Sequence, residues 1–157
     1  DNKILKLSPS TVSLILGVGI GAGNLRKGLA LRRAIYNHFV AAGYEFGKLT
    51  HPSATVGANV EMASGAQIMA GVIIQVGGTI GENSIINTGA IIEHDVIIED
   101  NCHISTGSIV NGGAIIRSNS FIGSGAVIKQ NIKIGKASIV NAKKFINKNL
   151  KDNSIIL

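Results

Sequence analysis

Three titratable side chains are adjacent in the run Glu93-His94-Asp95. Turns in other coils contain Thr-Gly-Ala or Ser-Gly-Ala, whereas this run carries groups that can hold and move protons. A histidine flanked by carboxylates can be kept in one tautomer and can act as a general base near neutral pH. The run therefore predicts a proton-transfer site, with an exposed polar turn as the alternative interpretation.

The secondary structure that positions this run is indicated by a six-residue repeat. Ile, Val or Met occupies every sixth position without an insertion, which is typical of a parallel β-helix with three hexads in each coil. We expect each of these residues to stack on its copy in the next coil, with coils roughly 4.8 Å apart. The repeating residues are Val56, Met62, Ile68, Ile74, Ile80, Ile86, Ile92, Ile98, Ile104, Val110, Ile116, Ile122, Ile128, Ile134, Val140 and Ile146.

Small residues and glycines complete the repeat. A mostly small or β-branched residue stands two positions before most of the aliphatic ones, which fits an inward position near a crowded corner. These residues are Ala54, Ala66, Val72, Ser84, Ala90, Cys102, Ser108, Ala114, Ser120, Ala126 and Ser138. Turns that tolerate positive φ are expected at Gly57, Gly65, Gly81, Gly89, Asn101, Gly107, Gly113, Gly125 and Gly135. About five and a half coils follow from His51 to Leu157.

The repeat also predicts what lies near His94. Gly112 follows it by three hexads, so the bare N–H of Gly112 should lie about one coil, roughly 4.8 Å, above the imidazole. His103 follows by half a coil and should face another side of the same triangle. A neighbouring subunit could bring its own His103 opposite His94, which predicts a site between the protomers of a cyclic homotrimer.

Residues 1–50 follow a different pattern, that of one βαβ unit. We expect strands at 11–19 and 44–49, separated by a helix over 25–42 with its Arg and Lys residues on a polar face. Asn24 is the expected cap of this helix and Gly43 its stop. The sequence therefore predicts a partial α/β unit at 1–50 and a β-helix domain at 51–157.

A glycine cluster over 17–23 resembles a dinucleotide-binding loop, but no acidic residue stands at the expected distance downstream. A lone βαβ unit does not form a stable sheet, so it must pack on the β-helix or pair with strands that precede Asp1. The lack of an initiator Met favours the second option.

The composition excludes several classes of protein. The formal net charge is +6, but the low aromatic content and the lack of an arginine-rich stripe argue against nucleic acid and favour an anionic small molecule. No apolar run reaches the ~18 residues that span a bilayer. The single cysteine, Cys102, excludes an internal disulfide and suits a reducing, cytoplasmic compartment, and its place in the repeat predicts burial.

The motifs over 51 to about 146 resemble those of the hexapeptide-repeat acyltransferases. The run His51-Pro52-Ser53-Ala54, the segment 86–95 and the following His103 are similar to the bacterial sugar acetyltransferases. That group includes the sialic acid O-acetyltransferases and the bacillosamine-type nucleotide-sugar N-acetyltransferases. The resemblance implies a left-handed β-helix, and residues 1–50 resemble the second half of the family's small nucleotide-binding-like domain.

The resemblance also implies roles for individual residues. His94 matches the family's general base, and Asp95 matches the acid that orients it. His103 and Gly112 match the residues that contact the acetyl-CoA thioester, and Asn87 matches an asparagine of the same pocket.

These features predict an acetyl-CoA-dependent acetyltransferase that acts on an amino or hydroxyl group of a bacterial sugar, for surface glycan synthesis. The sugar is either a nucleotide-linked amino-sugar or a sialic-type acid, and transfer is direct and needs no metal. We expect CoA to run between two β-helices toward the C-terminal coils, where Lys136 and Lys143 meet its phosphates. Solvated strand edges are the alternative interpretation of these lysines.

Other β-helix classes stay open. A metal-dependent protein like the γ-class carbonic anhydrases needs three converging histidines, whereas His38 and His51 lie outside the central coils. An ice-binding β-helix needs a threonine ladder, and only Thr88 and Thr106 stack at the required interval of one coil. A non-catalytic scaffold has no need for the run at 93–95.

Overall fold

A computed structural model describes residues 4–20 and 23–157. Its larger part is a parallel β-helix of two-residue strands on three faces. The first face contains β3 (Leu49–Thr50), β6 (Gln67–Ile68), β9 (Ile85–Ile86), β12 (His103–Ile104), β15 (Phe121–Ile122), β18 (Ile139–Val140) and β20 (Ile155–Ile156). The second contains β4 (Thr55–Val56), β7 (Ile73–Ile74), β10 (Ile91–Ile92), β13 (Ile109–Val110), β16 (Val127–Ile128) and β19 (Phe145–Ile146). The third contains β5 (Glu61–Met62), β8 (Thr79–Ile80), β11 (Ile97–Ile98), β14 (Ile115–Ile116) and β17 (Lys133–Ile134).

The strands pair in the predicted register. Ile92, for example, pairs with Ile74 on one side and with Val110 on the other, and each partner is its copy in an adjacent coil. The last described coil is shorter, because Ile139 pairs with Ile155 and not with Leu157, its copy under the strict repeat. The parallel β-helix and its coil length are therefore confirmed.

One aliphatic core fills the β-helix. The repeating residues from Ile68 to Val140 are at most 1% exposed. The small residues two positions earlier are also buried from Ala66 to Ser138, which confirms that they point inward. Because every coil adds the same kind of core layer, the stack offers fixed positions at its corners for residues that depart from the repeat.

The turn glycines fall into two groups. Positive φ recurs three residues before the aliphatic positions, and it is confirmed at Gly65, Gly89, Asn101, Gly107, Gly113 and Gly125. The prediction was wrong for Gly57, Gly81 and Gly135, where φ is not positive. A Cβ at Gly57 would lie 2.9 Å from the Val76 nitrogen, and one at Gly81 would lie 2.5 Å from the Glu99 carbonyl carbon. These glycines are explained by the close approach of the next coil's backbone.

The N-terminal unit is the predicted βαβ arrangement. Two short 3-10 helices (Ile4–Lys6 and Pro9–Thr11) precede β1 (Ser13–Leu14), which pairs in parallel with β2 (Glu45–Phe46). Both strands are shorter than expected, because the residues around each pair find no further ladder partner in the described part of the chain. Residues 21 and 22 of the glycine cluster lie outside the described residues.

Helix α1 (Leu25–Ala41) connects these two strands. The Asn24 side chain accepts a hydrogen bond from the Lys27 N–H at 3.1 Å, and Gly43 follows the helix with φ of 87°, so both predicted helix ends are confirmed. Arg32 departs from the expected polar face, since it is only 3% exposed. Its Nη1 donates to the carbonyl oxygens of Leu16 at 3.0 Å and Val18 at 2.6 Å.

The N-terminal unit packs on the β-helix, the first of the two predicted options. Gln67 Nε2 on β6 donates to the Leu16 carbonyl at 2.9 Å. Arg33 of α1 donates to the Asn119 side chain at 2.9 Å. Strand pairing of the β-helix begins at β3, next to the division that we place at residue 50. No helix in the described residues is both long enough and apolar enough to span a membrane.

Candidate functional site

His94 and Asp95 occupy the turn between β10 and β11, at the corner where the second and third faces meet. His94 Nδ1 lies 3.0 Å from Asp95 Oδ2, and the two side chains are 52% and 73% exposed. A carboxylate has no proton to donate, so Nδ1 must be the donor in this hydrogen bond. The neutral ring then has its lone pair at Nε2, where it can accept a proton from another molecule.

Gly112 lies at the same corner in the next coil, as its spacing predicted. We call His94, Asp95 and Gly112 together the histidine corner. The Gly113 N–H donates to the His94 carbonyl at 2.9 Å, which fixes the two turns against each other. A Cβ on Gly112 would lie 2.5 Å from His94 Nε2, so a side chain at position 112 would displace the imidazole. The structure gives the Gly112 N–H no acceptor among the described residues. A proton acceptor and a free backbone donor therefore lie side by side.

His103 lies on the first face, away from His94, as predicted. It is 8% exposed, and its ring stacks on Phe121 with 5.3 Å between centroids. Burial, with a smaller contribution from the charge of Arg32, lowers the pKa of His103 to about 4. His103 is therefore a neutral imidazole near pH 7, suited to hydrogen bonding and not to carrying charge.

Asn87 shares a cavity with His103. The cavity has a volume of about 260 Å³, and its wall combines β-helix residues with the 15–19 segment of the N-terminal unit. The Asn87 side-chain oxygen accepts a hydrogen bond from the Thr88 N–H at 2.8 Å. The predicted residues thus form two groups in one chain: His94, Asp95 and Gly112 at the corner, and Asn87 and His103 in the cavity.

The two predicted phosphate-binding lysines lie apart from each other. Lys143 is exposed at the corner between the first and second faces. Lys136 lines a cleft of about 360 Å³ between α1 and the last coils, together with Arg26 and Arg33. Sequence reasoning missed these arginines, because their position on the polar side of α1 says nothing about which coil they approach.

Comparisons with known proteins find one family model and several solved structures that are similar to this chain. Residues 77–112 match the model of the bacterial transferase hexapeptide (six repeats). The acetyltransferase domain of PglB from Neisseria gonorrhoeae FA1090 is 28% identical, with a TM-score of 0.89 over 98% of this chain and 72% of that chain. PerB from Caulobacter crescentus, solved in complex with CoA and GDP-perosamine, is 29% identical, with a TM-score of 0.89 over 99% of this chain and 72% of that chain.

In its repeat this chain is similar to the bacterial transferase hexapeptide, and in its fold it is similar to these acetyltransferases, which supports an acyltransferase. WeeI from Acinetobacter baumannii AYE shares the fold, at 22% identity and a TM-score of 0.78 over 81% of this chain and 62% of that chain. A comparison with curated proteins finds no match.

An acyltransferase can in principle carry its acyl group on a cysteine. Cys102, however, points into the core of the β-helix and is 2% exposed, as the repeat predicted. Burial raises the pKa of its thiol to about 12, so the thiolate is not available near pH 7. Within residues 4–20 and 23–157, no three His, Cys, Asp or Glu side chains come together as possible metal ligands.

Proposed function

We propose that this acyltransferase transfers an acetyl group from acetyl-CoA to the amino or hydroxyl group of a bacterial sugar, for surface glycan synthesis. The observation that carries the proposal is the histidine corner, where Asp95 holds Nδ1 of His94 and Nε2 faces the backbone of Gly112. The PglB domain has been solved with acetyl coenzyme A, and PerB with CoA and GDP-perosamine. These relatives favour acetyl-CoA as the donor and a nucleotide-linked amino-sugar as the acceptor, over a sialic-type acid.

The proposed mechanism is direct transfer. The acceptor nitrogen or oxygen attacks the thioester carbonyl carbon, and His94 Nε2 takes the proton that the acceptor loses. The Gly112 N–H donates a hydrogen bond to the carbonyl oxygen as it becomes an oxyanion. When the carbon–sulfur bond breaks, the imidazolium returns the proton to the departing CoA sulfur. Asp95 stabilises the charged ring between these two steps, and atoms and charges balance without a metal.

We further propose that the working unit is a cytoplasmic homotrimer with its sites between protomers. In one chain, His94 and His103 lie on different sides of the β-helix, which supports a site completed by the first face of a neighbouring chain. His103 and Asn87 would then face the thioester and the sugar, and Lys136 and Lys143 are the proposed partners of the CoA phosphates. Acetyl-CoA as the donor and the single buried cysteine favour the cytoplasm.

The test is the release of CoA thiol from acetyl-CoA by the full protein. One series of acceptors contains UDP- or GDP-linked 4-amino-sugars, and the other contains sialic-type acids. We expect release with the first series, and we expect His94→Ala to lower kcat by about 100-fold or more. His38→Ala is the matched control, because His38 is an exposed histidine on α1 and not on the turn that carries His94.

Light scattering measures the assembly in the same samples. A folded trimer that releases no CoA with either series would contradict the proposed function. Release that is equal in wild type and His94→Ala would leave an acyltransferase but remove His94 as its base.

A further inference from the structure

Gly77 lies one coil below Asp95, at the same histidine corner. The two residues occupy equivalent positions of successive coils, and the Asp95 N–H donates to the carbonyl of Val76, the neighbour of Gly77, at 3.0 Å. A Cβ on Gly77 would lie 2.7 Å from Asp95 Oδ1. The other oxygen of the same carboxylate is the acceptor for His94 Nδ1 at 3.0 Å. The space that Gly77 leaves empty is therefore the space in which this carboxylate lies.

The backbone at this position does not by itself require glycine. Gly77 has φ of +72°, but equivalent turns carry Asn83 at 52°, Ala137 at 55° and Lys143 at 60°. Gly107 has a similar φ of +64°, and no described atom lies within 4 Å of the Cβ that it would carry. What distinguishes Gly77 from Gly107 is thus its contact with the carboxylate of Asp95.

We propose that Gly77 is a positioning residue for the His94–Asp95 pair. The two oxygens of Asp95 are used differently, since one accepts from His94 and the other packs over Gly77. A methyl group at position 77 would push the carboxylate by roughly 0.5–1 Å, because ordinary non-bonded contacts lie near 3.5 Å. Asp95 is exposed and can rotate into solvent, so it would give up the hydrogen bond to His94. Together, Gly77 below and Gly112 above leave room for the pair.

The catalytic part of this inference rests on the proposed function. The test compares Gly77→Ala with Gly107→Ala in the full protein, and Gly77→Asn serves as a second variant that suits the left-handed turn. Two readouts are used: kcat and KM for acetyl-CoA, and the ¹⁵N NMR shifts of the His94 ring nitrogens, which report where the ring proton lies.

We expect Gly77→Ala to lower kcat by about 10- to 100-fold, since displacements near 1 Å have effects of this size. KM for acetyl-CoA should change by less than about twofold. The proton should redistribute between Nδ1 and Nε2 in Gly77→Ala but not in Gly107→Ala. In an Asp95→Ala background, Gly77→Ala should have no further effect on kcat, because the two changes act through one contact.

Ring-nitrogen shifts that are the same in Gly77→Ala, Gly77→Asn and Gly107→Ala would overturn the proposal. So would a loss of kcat that persists in full in the Asp95→Ala background. The NMR readout needs no acceptor, so it separates two failures. A protein without turnover whose His94 tautomer still depends on Gly77 would contradict the proposed function and keep the positioning role.

Discussion

The β-helix and the N-terminal unit are stabilised in different ways. In the β-helix, each aliphatic residue packs on copies of itself in the coils above and below, in one register from Leu49 to Ile146. In the N-terminal unit, each contact is individual and does not recur. Arg32 donates hydrogen bonds to the carbonyls of Leu16 and Val18, and the ring of Tyr36 stacks on that of Phe46 with 4.5 Å between centroids. Because its contacts repeat from coil to coil, the β-helix tolerates substitutions at its corners. The N-terminal unit has no such repetition, so its stability depends on single side chains.

This difference matches the division of the site. The coils hold Gly112 one strand spacing from His94 and Asp95. The N-terminal unit supplies the segment that closes the cavity around His103. Local opening should therefore expose that cavity at a lower free energy than it disturbs the histidine corner. Substitutions in the two regions can test this expectation.

The largest expected effect comes from Ile104→Ala. Ile104 is 0% exposed and packs between Ile86 and Ile122 of the neighbouring coils. The truncation should lower the free energy of unfolding by about 2–5 kcal/mol, because it removes buried carbon atoms and leaves a cavity. Urea denaturation followed by circular dichroism measures this value. The control is Leu31→Ala on α1, where Leu31 is 56% exposed and the loss should stay below about 0.5 kcal/mol. If both variants lost a similar free energy of unfolding, the repeated core of the β-helix would not be the more sensitive of the two positions.

Arg32→Met should affect one region only. The methionine keeps much of the volume but leaves the Val18 carbonyl without its donor and the Leu16 carbonyl with Gln67 Nε2 alone, which costs about 1–3 kcal/mol. Part of this is offset, because burial already disfavours the arginine charge and lowers the pKa of Arg32 to about 10. Hydrogen exchange should speed up at 12–18 and 44–48 and stay unchanged in the central coils. Faster exchange in the coils as well would mean that the two regions unfold together.

The sequence predicted the β-helix well because its information is local. A period of six defines the faces, and three periods define the neighbours, so the contact between His94 and Gly112 could be inferred from their spacing alone. The same reasoning misjudged Gly57, because periodicity does not tell a turn with positive φ from a close backbone approach. Arg32 was placed on the wrong side of α1, because its partners are carbonyls of another segment and a carbonyl leaves no signal in the sequence.

The smallest of these effects is a pH dependence that links the two regions through His103. Its pKa lies at about 4 in the fold, below the value near 6.5 of an unfolded chain. Between these values the unfolded state binds a proton that the folded state does not, so stability falls as the pH is lowered, by at most about 1.4 kcal/mol per pH unit. Urea midpoints at pH 7 and pH 5 should therefore differ more in wild type than in His103→Gln. Equal differences would mean that water reaches His103 in solution. The N-terminal unit would then not keep this imidazole from solvent.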